Sequence, residues 1–360
     1  MEIFRIWSRK IPVFFFAVIF AVQFFFPLLC KANEFTEHSG EYYSTVYDRE
    51  GNYIFCTGRS VSEGDRYISE DNIEYHIENV EDDKAYAREI GEVDLLEGLE
   101  EFLTGMPIEL AANNQKMVAI FHTHNGESYE PGPESTEGKG DIHQIGESLQ
   151  NALESEGIRA IHREDLHLPH DGLAYERSRA TVVEVLKENP DIILDIHRDG
   201  VPHIQEYLRE IDGQEVTQIR LVVGRQNPNF QANDQFARVL KASADEIYPG
   251  LIKDIFYGRG NYNQQMAPNF LLLEFGTYVN TADQANSSAY LMAAPIKRVL
   301  QGDMEALKSD RPVWNTILII LLVVTAGITG YLYINEGSWE GVFARLRELL
   351  PVGIFGRKGD

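Results

Sequence analysis

The chain has 360 residues, is 44% hydrophobic and 24% charged, and carries a formal net charge of −24. Such an acidic surface repels phosphate backbones, which excludes nucleic acid as a partner. Two cysteines exclude both a four-cysteine zinc site and a disulfide framework.

Apolar residues are unevenly spread along the sequence. Ile11 to Leu29 is a run of 19 residues without a charge, long enough for a helix to cross roughly 30 Å of hydrocarbon. The run reads as an uncleaved anchor, with a cleaved signal peptide as the alternative. Lipid attachment at Cys30 is disfavoured by the bulky Leu29 before it. Residues 35–112 read as a small β-rich accessory region. In it, Tyr42–Tyr47 and Tyr53–Gly58 are strands around a turn at 48–52. Residues 61–100 are acidic and mixed, with helical apolar spacing from Val93 to Leu103.

The main domain spans 113–303. Met117–Phe121 is a continuous apolar run, the mark of a strand buried on both faces. Ile142–Leu153 has helical spacing, Ile158–Ile161 is a second strand, and Arg177–Lys187 is an amphipathic helix. Ile192–Ile196 and Ile219–Val223 are strands, Asn233–Ile247 is a helix, Asn269–Glu274 is the fifth strand, and Ala282–Leu300 is the last helix. Alternating strands and helices predict an α/β fold, an open, twisted, mostly parallel sheet with helices on both faces. Its ligand site is expected beyond the carboxyl ends of the strands.

Thr316 to Ile334 is a second uncharged run of 19 residues. In the tail, 335–360, Trp339, Val342, Phe343, Leu346, Leu349 and Leu350 share one helical face, as in an interfacial helix; a frayed tail is the alternative. The sheet is thus flanked by two expected transmembrane helices. Residues 1–10 carry +2 and residues 335–360 are balanced, leaving about −26 between the spans. Basic groups outside both spans put both termini in the cytoplasm and the acidic middle outside.

Eight of the ten histidines lie between 122 and 203. One predicted strand ends in His122-Thr123-His124-Asn125-Gly126-Glu127, another in His197-Arg198-Asp199, a third in Glu274-Phe275-Gly276. Two imidazoles and a carboxylate form a catalytic zinc shell with one position open. His124, Glu127 and His197 are assigned to it, so Zn2+ is the expected cofactor. The remaining carboxylate, Glu274, is assigned as general base. Asp141 is the alternative to Glu127. His122 is the alternative to His124, because two residues apart on a strand they face the same way. His143, His162, His167, His170 and His203 are read as structural hydrogen-bonders.

These segments, with Tyr175-Glu176-Arg177-Ser178-Arg179 and Tyr262-Asn263-Gln264, resemble in order and spacing the stage II sporulation protein P family over roughly 40–300. The resemblance implies a membrane-anchored, outward-facing peptidoglycan hydrolase related to zinc N-acetylmuramoyl-L-alanine amidases, with endopeptidase activity also credited to members. It further implies a lytic transglycosylase partner. The second apolar run and the tail depart from the family's plan. Two rival readings stand beside the amidase. One is a zinc carboxypeptidase, for which Arg198 is the candidate substrate-binding group; the other is a wall-binding scaffold without chemistry.

Overall fold

The structure, a computed structural model, describes residues 42–99, 116–303 and 313–349. The first apolar run, 11–29, lies outside the described residues. Five strands come first: β1 (Ser44–Asp48), β2 (Tyr53–Thr57), β3 (Arg66–Ile68), β4 (Ile73–Glu81) and β5 (Lys84–Glu92). Then follow β6 (Met117–Phe121), α1 (Ile142–Ser155), β7 (Arg159–His162), α2 (Ala174–Leu186) and β8 (Ile192–Asp199). A hairpin of β9 (Leu208–Ile211) and β10 (Gln214–Thr217) leads to β11 (Ile219–Gly224), α3 (Phe230–Ile247) and β12 (Ile252–Gly258). The last elements of this unit are β13 (Phe270–Thr277) and α4 (Ala282–Gln301).

Eleven strands share one sheet in the order β2-β1-β5-β4-β3-β12-β11-β13-β8-β6-β7. β7, β6, β8 and β13 run parallel, so the carboxyl ends of β6, β8 and β13 share an edge. These four strands match the expected parallel sheet. β11 then runs antiparallel to β13 and parallel to β12, which makes the whole sheet mixed. The reversal follows from the connection: between β8 and β11 the chain returns through a hairpin, not through the crossover helix that parallel strands require. The starts of β11 and β12 therefore lie at the edge where β8 and β13 end.

β6, β8, β11 and β13 are buried along their whole length, as expected of strands covered on both faces. Val182 and Val185 of α2 pack on Ala119, Phe121, Ile193 and Phe270. α1 covers the other side, where a Cβ added at Gly146 would meet the rings of His122 and His162. α4 also packs against both α1 and α3.

The N-terminal strands continue this sheet. β3 pairs antiparallel with β12, and Val46, Phe55, Tyr67 and Ile77 form one cluster with Val222, Phe256 and Leu272. β4 and β5 are not expected from sequence, because charged residues recur through both. Of the helical spacing from Val93, the described part is a turn over 95–98 followed by Leu99 in helical conformation; the rest lies outside the described residues.

A second compact unit covers residues 305–360. It contains α5 (Val313–Glu336) and α6 (Trp339–Leu349). Side chains of α5 are described from Leu321 onward, and Thr325 and Thr329 donate their hydroxyls to carbonyls one turn back, at Leu321 and Thr325. Among the described residues no helix is long and apolar enough to cross a membrane. In α6, Val342 is buried while Trp339 and Phe343 are exposed.

Candidate metal centre and active site

β6 ends at Phe121, and the chain leaves the extended conformation there. His124 and Glu127 are joined by a turn in which Glu127 N donates to His124 O over 3.4 Å. His197 lies inside β8. Glu127 Oε1 is 3.3 Å from His124 Nδ1 and 3.3 Å from His197 Nδ1. A tetrahedral zinc with bonds of about 2.0–2.1 Å needs ligand atoms about 3.3–3.4 Å apart. The two separations from Glu127 have this value, and all three donors, each in a buried residue, lie within 4.8 Å of one another, close enough to hold one ion.

Neighbouring groups hold these donors in place. Arg198 N donates to Glu127 Oε2 over 3.0 Å, fixing the carboxylate. His197 Nε2 lies 3.0 Å from Asp195 Oδ1. Thr123 donates to both Asp195 oxygens, through N at 2.8 Å and Oγ1 at 2.6 Å. A carboxylate behind a ligating imidazole orients the ring and raises its basicity. Burial alone would raise the Glu127 carboxyl, but the His197 charge and the hydrogen bonds from His124 and His197 hold it well below the usual range. Burial alone would lower His197, but Asp195 and Glu127 push it well above. Two carboxylates therefore converge on one imidazole, an arrangement suited to positive charge.

Glu274 is the register partner of His197 on the neighbouring parallel strand, so the two lie side by side about 4.8 Å apart across the sheet. Its Oε1 accepts from Arg59 Nε at 2.5 Å and its Oε2 from Tyr207 OH at 3.2 Å. Arg220 stands behind, 3.9 Å from Oε2, and is bound through two nitrogens to Asp254 at 2.7 and 2.9 Å. Asp199 ties the parts together. It accepts from Gly58 N at 2.6 Å, Gly200 N at 2.7 Å and Arg220 Nη1 at 3.0 Å, and at 2.8 Å it shares the single Tyr207 hydroxyl proton with Glu274.

A cavity of about 500 Å³ opens over this edge, lined among others by Arg59, His124, Tyr175, Arg198, Asp199 and Glu274. His170 stacks on His124 with ring centroids 4.1 Å apart. Arg198 lines the wall, where Nη2 donates to Glu134 O at 3.0 Å and Nη1 to Asp199 O at 3.4 Å.

The alternatives considered from sequence lie elsewhere. Asp141 accepts from Tyr129 N at 3.1 Å at the start of α1 and is outside the cluster. His122 and His124 do not share a face, contrary to the expectation from strand alternation, because the strand has already ended. His122 instead joins His143 and His162. His167 bridges His122 O and Thr181 Oγ1, both at 2.8 Å, and His203 meets Tyr43 OH at 3.0 Å; both are structural. Sequence reasoning missed Arg59, Asp195, Tyr207 and Arg220. Asp195 alone had a signal, a carboxylate inside an apolar strand two residues before His197.

The profile of the family described as Stage II sporulation protein P (SpoIIP) matches residues 37–297. Stage II sporulation protein P of Bacillus subtilis (strain 168) is 32% identical over 204 residues, 51% of this chain and 51% of that protein. The match thus spans about half the length of that curated relative. Among solved structures, the CwlD amidase from Clostridioides difficile in complex with the GerS lipoprotein is 15% identical. It covers 52% of this chain and 99% of that chain at a TM-score of 0.38. The N-acetylmuramoyl-L-alanine amidase AmiC2 of Nostoc punctiforme is 17% identical, over 53% and 98% of the two chains, at 0.35. A metallo-carboxypeptidase from Burkholderia cenocepacia is 12% identical, over 67% and 81%, at 0.35. These structural likenesses are weak and do not discriminate between amidase and peptidase.

Proposed function

The chain belongs to the stage II sporulation protein P family, and on that premise we propose that it is a membrane-anchored peptidoglycan hydrolase. The specific reaction is that of a zinc-dependent N-acetylmuramoyl-L-alanine amidase, which cuts the amide joining the glycan's lactyl group to the stem-peptide L-alanine. The observation that carries this reading is the buried cluster of His124, Glu127 and His197, with ligand atoms within 4.8 Å of one another, and Glu274 beside His197 on the next strand.

His124, Glu127 and His197 would hold the ion and leave a fourth position open. What zinc supplies when bound is Lewis acidity toward a carbonyl and toward water. Asp195 and the Arg198 N–H keep His197 and Glu127 in position. Glu274 takes the proton from the attacking water and returns it to the alanine nitrogen as the C–N bond breaks. The products are a free lactyl carboxylate and a free alanine amine. Arg59 and Tyr207 fix the Glu274 carboxylate throughout.

The carboxypeptidase reading asks Arg198 for a forked grip on a terminal carboxylate. Arg198 spends two of its five N–H donors on backbone carbonyls, at Asp199 and Glu134, so the product ends decide between the two readings. Digestion of purified wall by the full chain in zinc tests the proposal. New lactyl carboxyl and alanine amino ends are expected. New peptide ends alone would replace the amidase by a peptidase, and no products would leave a scaffold. Anchoring through 11–29 and 316–334, with residues 31–312 outside, rests on the apolar runs and the basic flanks of the sequence alone, and no described helix adds support to it. A lytic transglycosylase partner follows from family membership alone.

A further inference from the structure

Three histidines on the other side of the β6 end have no part in this chemistry. His122 follows β6, His143 sits in the first turn of α1, and His162 ends β7. One nitrogen from each lies within 4.8 Å of the others. His122 Nε2 and His162 Nε2 face each other at 2.7 Å. The ring centroids of His122 and His143 are 4.6 Å apart. His143 is 6% exposed, and its Nδ1 has no hydrogen-bond partner. The nearest acid is the exposed Glu164, whose Oε1 is 4.0 Å from that nitrogen.

The tautomer of His122 is fixed by its surroundings. Its Nδ1 lies 3.0 Å from Ile196 O. A carbonyl only accepts, so Nδ1 carries the proton and Nε2 presents its lone pair to the cluster. An imidazole whose second nitrogen donates to a backbone carbonyl is oriented as metal-bound imidazoles are. Space has also been left at the centre. A Cβ at Gly146 would lie 2.6 Å from His162 Nε2 and 2.7 Å from His122 Nε2. Glycine inside a helix costs about 1 kcal/mol relative to alanine, so its presence one turn after His143 is explained by what it leaves open.

We infer that His122, His143 and His162 form a second divalent-cation site, separate from the His124–Glu127–His197 set. A donor set of three imidazoles suits zinc and excludes calcium and magnesium, which take oxygen ligands. For zinc the two Nε2 atoms, now at hydrogen-bond distance, would open to about 3.3 Å. Water or Glu164 would complete the coordination. The ion would pin α1 and the end of β7 to the residue that begins the His122–Tyr129 turn. It would thus position His124 and Glu127 without touching substrate.

The test is metal content of the purified full chain after zinc saturation and dialysis, in wild type and single variants. Two zinc ions per chain are expected. His143→Gln and His162→Gln should each remove one and leave the other, as should Gly146→Ala. His124→Ala should remove the other one, so the two sites are read independently. Cobalt substitution gives a second readout, because loss of one site removes only part of the visible cobalt absorption. A single ion per chain that His143→Gln and His162→Gln leave in place would overturn the inference. A single ion that both of them remove would support it while overturning the proposed catalytic set. Circular dichroism and melting temperature separate loss of metal from loss of fold.

Discussion

The two oxygens of Glu274 accept different hydrogen bonds, and the difference gives them separate work. Oε1 is held by a guanidinium at 2.5 Å, whereas Oε2 has a phenol at 3.2 Å. Burial pushes the Tyr207 hydroxyl well above its ordinary range, so the phenol stays neutral. If Glu274 is the base proposed above, Oε2, which faces this neutral phenol, is the oxygen expected to carry the proton. Glu274→Gln should keep zinc and wall binding and lose on the order of a hundredfold or more in rate. Metal analysis and single-turnover digestion check this; loss of metal would make Glu274 a ligand. The fold is expected to weaken as well, because Arg59 is left buried beside a neutral amide. Sequence made Glu274 visible because it ends an apolar strand. Arg59 was invisible because nothing in Thr57-Gly58-Arg59 tells that this segment crosses to a strand more than two hundred residues away.

Among the elements, the strands that carry the site were legible because apolar residues dominate them and they end in chemistry. Met117–Phe121, Ile192–Ile196, interrupted only by Asp195, and Phe270–Leu273 are of this kind. β12 was hidden because Lys253 and Asp254 interrupt its apolar pattern. Asp254 is nonetheless buried, which Arg220 makes tolerable. The direction of β11 was equally unreadable, since it depends on a hairpin of polar residues. The loop after β2 reaches the site by backbone contact: a Cβ at Gly58 would lie 2.7 Å from Gly200 Cα and 2.8 Å from Gly200 N. Backbone cannot yield as a side chain end can. Gly58→Ala should therefore displace the loop, lengthen the Gly58 N to Asp199 bond and pull Arg59 from Glu274. The expected result is a melting temperature several degrees lower, in line with about 1–3 kcal/mol for overpacking, and reduced turnover with zinc content unchanged. Normal stability and turnover would show that the loop docks by other contacts.

For the whole molecule, charge carries the prediction of topology. Residues 31–312 hold the negative excess, and basic groups flank both apolar runs. Protease added to intact cells stripped of wall should digest the middle and spare both ends; protection of residues 31–312 would remove any access to peptidoglycan. The sheet adds a consequence of another kind. β3 pairs with β12, and the site gathers Arg59, His124, Glu127, His197 and Glu274, so contacts far apart in sequence must close before it exists. Such long-range pairing forms late in folding. A chain emerging from its amino terminus has Arg59 first and Glu274 last, so no chain that ends before Glu274 carries the assembled site. A single proteolytic nick between them that lets the halves part would silence it permanently.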